Sequence, residues 1–508
     1  MNQYDVIVVG AGNGGLVAAA DVAKAGYKTL LLEKHNLPGG CATSFVRGRF
    51  EFEAALHELC DQSTSEDLES SLEIFNRLGA NVELVREDTL FRAISKGKDG
   101  YDVVLHTGRE NLLDDMEKAV PGCRESVAKL WDLIIPIDEA QRYMGSRKVP
   151  NPITLMSKHG DFMRVGSHSI EEVEIALGIP EKARDILNTY WGYLGVPADD
   201  LNALHYISLL TAYAQCKPSM PYNRSHEISL ALVDVIQKAG GEVRYNSEVT
   251  EFLFDEEGAA IGVVANGEKI YAKKIISNIM PSNVINRASD AKKLPKWMRK
   301  LANARKMGMT FTTIYLGLDC SMEELGIDDY STFISSDNNS RVQFDRRKDN
   351  GMYVVNCLNK VLPDSSPKGT CTLFFTIMVM PGDLPEDLTE ENYKEYKNAI
   401  ARKFIEDYEQ TLGISVIPHI EEIVIATPVT FARYLGTPDG AIYGYASETW
   451  DNIVGRIAME EMDYTVKNMK FCGGHHTRGD GFPSGYITGD KAGLATVEEL
   501  KKEEKEGK

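Results

Sequence analysis

The sequence predicts an α/β protein, and three observations carry the prediction. Residues 4–9, Tyr-Asp-Val-Ile-Val-Val, form a β-branched apolar run of the length of a buried parallel strand. The loop Gly10-Ala-Gly12-Asn13-Gly14-Gly15 follows and opens an Ala/Leu/Val-rich helical segment that Gly26 closes. Residues 29–33, Thr-Leu-Leu-Leu-Glu, are a second apolar strand ending in an acid. A strand–turn–helix–strand unit of roughly thirty residues predicts parallel pairing through a right-handed crossover.

Each glycine of the loop has a mechanical reason. Gly10 permits the tight turn, Gly12 lets the main chain approach a pyrophosphate, and Gly15 allows close helix–strand packing. Asn13 and Gly14 complete the loop, and the helix start offers free N–H groups and a positive dipole end. Glu33, at the tip of the second strand, can accept both ribose hydroxyls of an adenosine. In this context the loop reads as a dinucleotide site rather than a plain turn. No second G-x-G-x-x-G follows a strand, so a dedicated nicotinamide domain lacks support. A single nucleotide fold in 508 residues, with a second Gly-rich loop and helix over 471–500, points to FAD. The predicted class is therefore α/β: a bipartite Rossmann-like FAD-binding domain with an interleaved α+β substrate domain.

The later elements follow in order. Residues 66–223 alternate charged helical patterns with irregular pieces, and the aromatic-rich stretch 190–213 reads as core, with an apolar tunnel wall as the competing reading. Residues 216–222 read as a returning loop. A helix over 228–239 ends at Gly240-Gly241, and strands follow at 242–245, 249–254 and 260–265. The β-rich runs 310–318, 353–358 and 372–380 belong to another sheet. A helix over 390–412 precedes strands near Ile423 and Ile442, a final helix begins near Ile487, and 501–508 is a solvated charged tail. This pattern assigns 1–75, 224–290 and 446–508 to the FAD-binding domain, and 76–223 and 291–445 to the substrate domain.

Composition narrows the function classes. The 56 Lys+Arg against 75 Asp+Glu, net −19, argue against nucleic acid, which needs clustered cations. The same balance leaves membrane contact only to an apolar patch. Eight cysteines without a C-x-x-C pair fit neither a zinc site nor a disulfide framework and suggest a reducing, cytoplasmic setting. The first residues lack a signal peptide's basic region, and no run of ~18 charge-free apolar residues occurs. No G-x-S-x-G elbow supports a hydrolase.

Several motifs resemble one family. Glu33-Lys34 with Pro38-Gly39-Gly40-x-x-Thr43, Phe50-Glu-Phe-Glu53-Ala-Ala-Leu-His57, Ile276-Ser277-Asn278-x-x-Pro281 and the segment 427–444 are similar to those of the phytoene desaturase, carotenoid isomerase and retinol saturase group. So are Phe471-Cys-Gly473-Gly474 and Gly481-Phe-Pro483-Ser484-Gly485. The chain departs from that pattern at Glu53-Ala54-Ala55, at 224–227 and at Gly474. The resemblance implies that Lys34, Gly40, Ala42, Thr43, Asn278, Gly473 and Gly474 join the cofactor set. It also implies that Val249 meets the adenine through its backbone, and that Pro483, Ser484 and Ile487 approach the isoalloxazine and ribitol.

The acid/base candidates are His57, His475, His476, Arg478, Asp480 and Tyr486, histidine being the natural proton carrier near neutral pH. Hydrogen-bonded loop histidines are the competing reading. No metal is expected, because adjacent histidines without spaced ligands rarely form a site. Flavin chemistry can also run with the protein only orienting the substrate. The expected activity is FAD-dependent oxidation or reduction of a carbon–carbon bond in an apolar polyene, isoprenoid or lipid-like substrate. Hydride would exchange with N5, and an external electron donor or acceptor would complete the cycle. The alternatives are a redox-neutral isomerase, an amine oxidase, and a lipid escort, against which the intact Gly10, Gly12, Gly15 and Glu33 set argues.

Overall fold

The computed structural model describes residues 3–60, 70–145, 151–349, 351–446, 448, 450–451, 455–456, 459, 465–476 and 481–507. The chain opens with β1 (Tyr4–Val9), α1 (Asn13–Lys24) and β2 (Thr29–Leu32). A ribbon, β3 (Ser44–Arg47) and β4 (Phe50–Glu53), leads to α2 (Ser71–Leu78), β5 (Leu84–Arg86), β6 (Thr89–Ser95) and β7 (Tyr101–His106). Helices fill most of 109–215. Then come β8 (Ser219–Pro221), α3 (Ser225–Lys238), β9 (Glu242–Arg244), β10 (Val249–Phe254), β11 (Ala260–Ala265) and β12 (Glu268–Ser277). The remainder holds β13 (Thr310–Leu318), β14 (Ser331–Ser335), β15 (Met352–Cys357), β16 (Cys371–Val379) and α4 (Tyr393–Leu412). It ends with β17 (Ile420–Ala426), α5 (Pro428–Leu435), β18 (Met469–Phe471) and α6 (Gly481–Lys505).

Two seven-stranded sheets organise these elements. The first runs β10-β11-β12-β1-β2-β9, with β18 added beside β12. β1 pairs in parallel with β2, from Val6↔Thr29 to Val9↔Leu32, and with β12 on its other side. Val6, Ile7 and Val8 are fully buried, each contributing about 1.5–3 kcal/mol. The α/β class expected from the first thirty residues is the one observed.

α6 returns the chain end to its beginning. A Cβ on Gly493 would stand 2.8 Å from the Asp21 Cβ, and one on Gly489 would collide with the main chain of Gly14. The small residues of α6 thus let it lie directly on α1.

The second sheet runs β17-β13-β16-β15-β14-β6-β7. Strand alternation puts Thr313, Thr376, Val354 and Phe333 on one face, as their registers require. Tyr190, Trp191, Tyr193, Tyr206 and Tyr213 are all buried beneath this sheet, and Tyr190 meets the Phe91 ring edge-on at 4.7 Å. The aromatic stretch is core.

Several expected elements are corrected. The hairpin β6–β7 lies where charged helical patterns and irregular pieces were expected, and β14 is a strand for which no element was expected. β6 finds its partner, β14, only 240 residues downstream, through Thr332↔Arg92 and its neighbours, a pairing no local pattern announces. Residues 219–221 pair with β5 instead of forming a plain loop. No strand forms at Ile442; its N–H donates to the Met309 carbonyl, and the chain beyond it meets 306–308 through the Gly308 N–H to Gly444 and Ala446 N–H to Lys306 bonds and a single bridge at Met307↔Tyr445. The last helix starts at Gly481 rather than near Ile487, and it runs to Lys505 rather than ending before a charged tail.

Candidate active site

The loops following β1, β2, β12 and β18 gather at the carboxyl ends of parallel strands, where open α/β sheets bind ligands. They form an elongated cleft lined by Gly10, Gly12, Asn13, Gly14, Glu33, Lys34, Gly40, Val249, Asn278, Gly473, Gly474, His475 and Gly485. Main-chain bonds fix the rim: Gly10 N–H donates to Leu32, Asn278 N–H to Val9, and Cys472 N–H to Ser277, at 2.8–2.9 Å. α1 begins on this rim with no side-chain cap and no acid in its first turn, which leaves its N–H groups to an anion.

Glu33 is almost fully buried. Its two oxygens accept the Ala11 N–H at 2.7 Å and the His35 N–H at 2.8 Å. The acid therefore also holds the glycine loop in shape, while each oxygen keeps a second lone pair for a ribose hydroxyl.

The cleft fits a dinucleotide on two counts. A Cβ on Gly12 or Gly14 would stand 2.7 Å from the Asn278 amide, and one on Gly473 at 2.5 Å, so main chain forms the walls there. Buried Asn13 Oδ1 and His475 Nδ1 have no hydrogen-bond partner among the described residues. These are acceptors or donors left for a polar ligand. Gly10, Gly12–Gly14, Glu33, Val249, Asn278, Gly473 and Gly474 would hold FAD.

The other expected residues stand elsewhere. Gly15 faces Gly10 and serves packing, because a Cβ there would collide with the Gly10 carbonyl oxygen. Buried Ala42 accepts the Ser229 hydroxyl at 2.8 Å, and Thr43 faces His226 at 3.4 Å. Pro483, Ser484 and Ile487 belong to the first turns of α6; of that segment Gly481, Phe482 and Gly485 line the cleft. The Val249 carbonyl already accepts from Arg287 at 2.6 Å.

Of the acid/base candidates among the described residues, only His475 lines the cleft, and burial holds it down at about 4, neutral at physiological pH. Tyr486 is fully buried and packs edge-on against Phe75 at 4.9 Å, so it is a core residue. His57 lies against the second sheet: its Nε2 meets the Thr376 hydroxyl at 2.8 Å and its Nδ1 the Tyr193 hydroxyl at 3.3 Å. Burial pushes His57 down to about 3. His476 is not among the residues lining the cleft. Arg478 and Asp480 lie outside the described residues.

The sequence reading missed the cover. α5 and the segment after it bring Tyr434, Leu435, Gly436 and Tyr443 onto the cleft, opposite the glycine loop, with Phe311 and Met280 beside them. Lys34 reaches the Arg433 carbonyl at 3.4 Å, tying the two sides. The segment 427–444 carried a family resemblance, but nothing local said which wall it would form.

Fold and cleft together define an FAD-dependent oxidoreductase. The model for the NAD(P)-binding Rossmann-like domain matches residues 8–75. The chain is 24% identical to the all-trans-retinol 13,14-reductase of Danio rerio, over 93% of this chain and 83% of that one. It is 23% identical to the chloroplastic prolycopene isomerase of Daucus carota, over 87% and 72%. A putrescine oxidase redesigned in its cofactor binding superposes with a TM-score of 0.64 at 16% identity, covering 98% of this chain and 99% of that one. Over most of its length the chain thus resembles the carotenoid- and retinoid-related FAD oxidoreductases of the amine-oxidase-like superfamily.

Proposed function

We propose that this protein reduces or desaturates a carbon–carbon bond in an apolar polyene, isoprenoid or similar substrate. One observation carries the reading. An apolar cavity of about 420 Å³, walled by Phe45, Tyr315, Val424, Ile425 and Phe431, shares Gly40, Cys41, Ala55, Tyr434 and Leu435 with the cofactor cleft. That volume suits a drug-sized, largely apolar molecule; the lining is mostly apolar, with Glu33, His35 and Arg47 among its polar positions. Bound flavin would supply or take the hydride; the chain's own groups bind, orient and exclude water. An external two-electron donor or acceptor completes the cycle. The interleaved assignment, 1–75, 224–290 and 446–508 against 76–223 and 291–445, is part of this reading, and the two sheets support it.

The test is anaerobic mixing of the holoprotein with all-trans-retinol and related polyenes while recording the flavin spectrum. A perturbation or redox change supports the substrate class; no response to any apolar alkene sinks it. The isomerase-named relative favours a second reading, redox-neutral double-bond rearrangement, which a product of unchanged mass would establish.

No helix among the described residues is long and apolar enough to cross a membrane. We place the protein in a reducing compartment, cytoplasmic in keeping with its eight free thiols, with peripheral membrane contact through the helix Pro152–Lys158. That helix buries none of its residues, and its Ile153 and Met156 are 76% and 72% exposed. Loss of vesicle sedimentation in an Ile153→Ser/Met156→Ser variant is the expected result.

A further inference from the structure

Away from the cleft, three donor side chains meet where β13 ends and β17 begins. Asp319 and Cys320 follow directly on β13, and His419 directly precedes β17. His419 Nδ1 and Asp319 Oδ1 lie 2.9 Å apart. A carboxylate oxygen of Asp319, a ring nitrogen of His419 and the Cys320 sulfur all fall within 4.8 Å of one another. The Asp319 and His419 side chains are 55% and 41% exposed, whereas Cys320 is buried. The cluster thus joins one sheltered soft donor to two harder ones open to solvent.

The main chain holds all three in place. Asp319 N–H donates to the His419 carbonyl at 2.9 Å, continuing the β13–β17 ladder one step beyond Leu318↔Ile420. On one side, Ser321 caps the helix Met322–Leu325 in a reciprocal capping box with Glu324, which pins the turn carrying Cys320. On the other, His419 closes the 3-10 turn Ile417–His419, its N–H donating to the Val416 carbonyl at 3.0 Å. Donors borne on fixed backbone need only side-chain rotation to meet an ion. Nearby Arg49 is engaged by Glu421, through Nε at 2.9 Å and Nη2 at 2.6 Å.

The donor set suits a borderline-soft divalent ion. Thiolate, imidazole and carboxylate bind zinc at about 2.3, 2.0–2.1 and 2.0–2.2 Å, so a tetrahedral site sets its donor atoms roughly 3.3–3.6 Å apart. Side-chain movements of about 1 Å bring the present cluster to those separations. Magnesium and calcium take oxygen shells, which a thiol does not supply. The charges balance: one thiolate and one carboxylate neutralise a dication, the thiol proton passes to solvent, and water takes the fourth position. An Asp319–His419 ion pair alone would account for two of the groups and leave the convergence of a thiol on them without a reason. Sequence spacing does not announce the cluster, because His419 stands a hundred residues after Asp319.

We propose that Asp319, Cys320 and His419 form a site for a zinc-class cation that clips the end of β13 to the start of β17. None of the three lines the cofactor cleft or the apolar cavity, so the ion takes no part in flavin chemistry. Its role is mechanical. The same two strands carry Tyr315 and Val424–Ala426, which wall the cavity, and the clip steadies them from the other end of the ladder. The site stands whatever substrate the cavity takes.

The test uses the full-length, flavin-loaded protein, freed of metal by a chelator, and its Cys320→Ser, Asp319→Asn and His419→Gln variants. Zn²⁺ added in a calorimeter should bind the wild type at one equivalent. Each variant should weaken that binding by at least ~10-fold, since even outer-shell partners of a metal are worth that much. X-ray absorption of the one-to-one zinc complex should show a single sulfur at about 2.3 Å beside nitrogen and oxygen neighbours at about 2.0–2.2 Å. Cys320→Ser should remove the sulfur. Excess Zn²⁺ should raise the thermal midpoint of the wild type and not that of His419→Gln. A zinc shell without sulfur, or a sulfur that survives Cys320→Ser, overturns the site. So does wild-type affinity in His419→Gln, a change at a partly exposed ring that reads the site even where Cys320→Ser fails to fold.

Discussion

Around the glycine loop the cleft walls close through glycines and main-chain N–H groups, with Glu33, Asn13, Asn278 and His475 set between them, whereas beneath the second sheet polar side chains are buried among aromatic rings. Gly12, Gly14 and Gly473 close on the Asn278 amide, and the uncapped start of α1 aims N–H groups outward. By contrast, His57, Glu58, Glu87, Tyr193 and Asn356 bring titratable or amide groups into a nearly dry interior. The first arrangement is suited to phosphate and ribose whatever chemistry follows. The second keeps its polar groups inside the core, paired chiefly with one another, as His57 is with Thr376 and Tyr193. The cofactor cleft and the polar core of the second sheet are thus built from different materials.

The comparison can be broken at its first half most forcefully. Gly15→Val pushes a side chain into the Gly10 carbonyl, and such overpacking costs ~1–3 kcal/mol or more. The expected outcome is protein purified without flavin, read from its visible absorbance. Glu33→Ala orphans the Ala11 and His35 amides. Losing two charge-assisted bonds should weaken FAD binding about 10- to 100-fold, measured by quenching of flavin fluorescence.

Acid probes one histidine in each half, His475 at the cleft and His57 beneath the second sheet. His57 and His475 are held at about 3 and about 4, below the ordinary ~6.5 of the unfolded chain. Their folded pKa values are depressed, so the unfolded state binds protons first as pH falls. Stability from each is intact above ~6.5 and lost on the way down, by about 2 kcal/mol per histidine at pH 5. Urea midpoints at pH 7.5 and 5 measure it; equal midpoints would show that both rings are solvated. The smallest effect belongs to Tyr486→Phe. Removing a fully buried hydroxyl that has no partner should leave flavin content unchanged and raise stability by up to ~1 kcal/mol.

How much was legible follows the same division. The strands at 249–254, 260–265 and 310–318 match their expected bounds because each carries its own apolar run between turn residues. The glycine loop and Glu33 were readable because a close approach of main chain leaves a mark, the glycine, in the sequence itself. Glu58 leaves none. It sits between His57 and Leu59 as one acid among 75 Asp and Glu, and only its pairing with Ser331, from a strand 273 residues away, buries it. Tyr486 misled for the opposite reason: placing the start of α6 too late left its ring free to face the cofactor, whereas the actual helix turns it to Phe75. Tyr434 and Tyr443 lie within the segment 427–444, whose resemblance does not say which wall it forms, since α5 and the residues after it reach the cleft through tertiary packing alone.

The contact of α6 with α1 also constrains how the protein comes into being. A ribosome that has released the first Rossmann unit has made Gly10 and Glu33 but not Gly473 or Gly485. Until the last forty residues emerge, the wall they supply is missing and the small-residue face of α1 lies open to water. Contacts this distant along the chain slow folding and prolong exposure of sticky surface. The cleft is complete only when α6 is in place, so removal of that helix is expected to leave a chain that begins folding but retains little flavin.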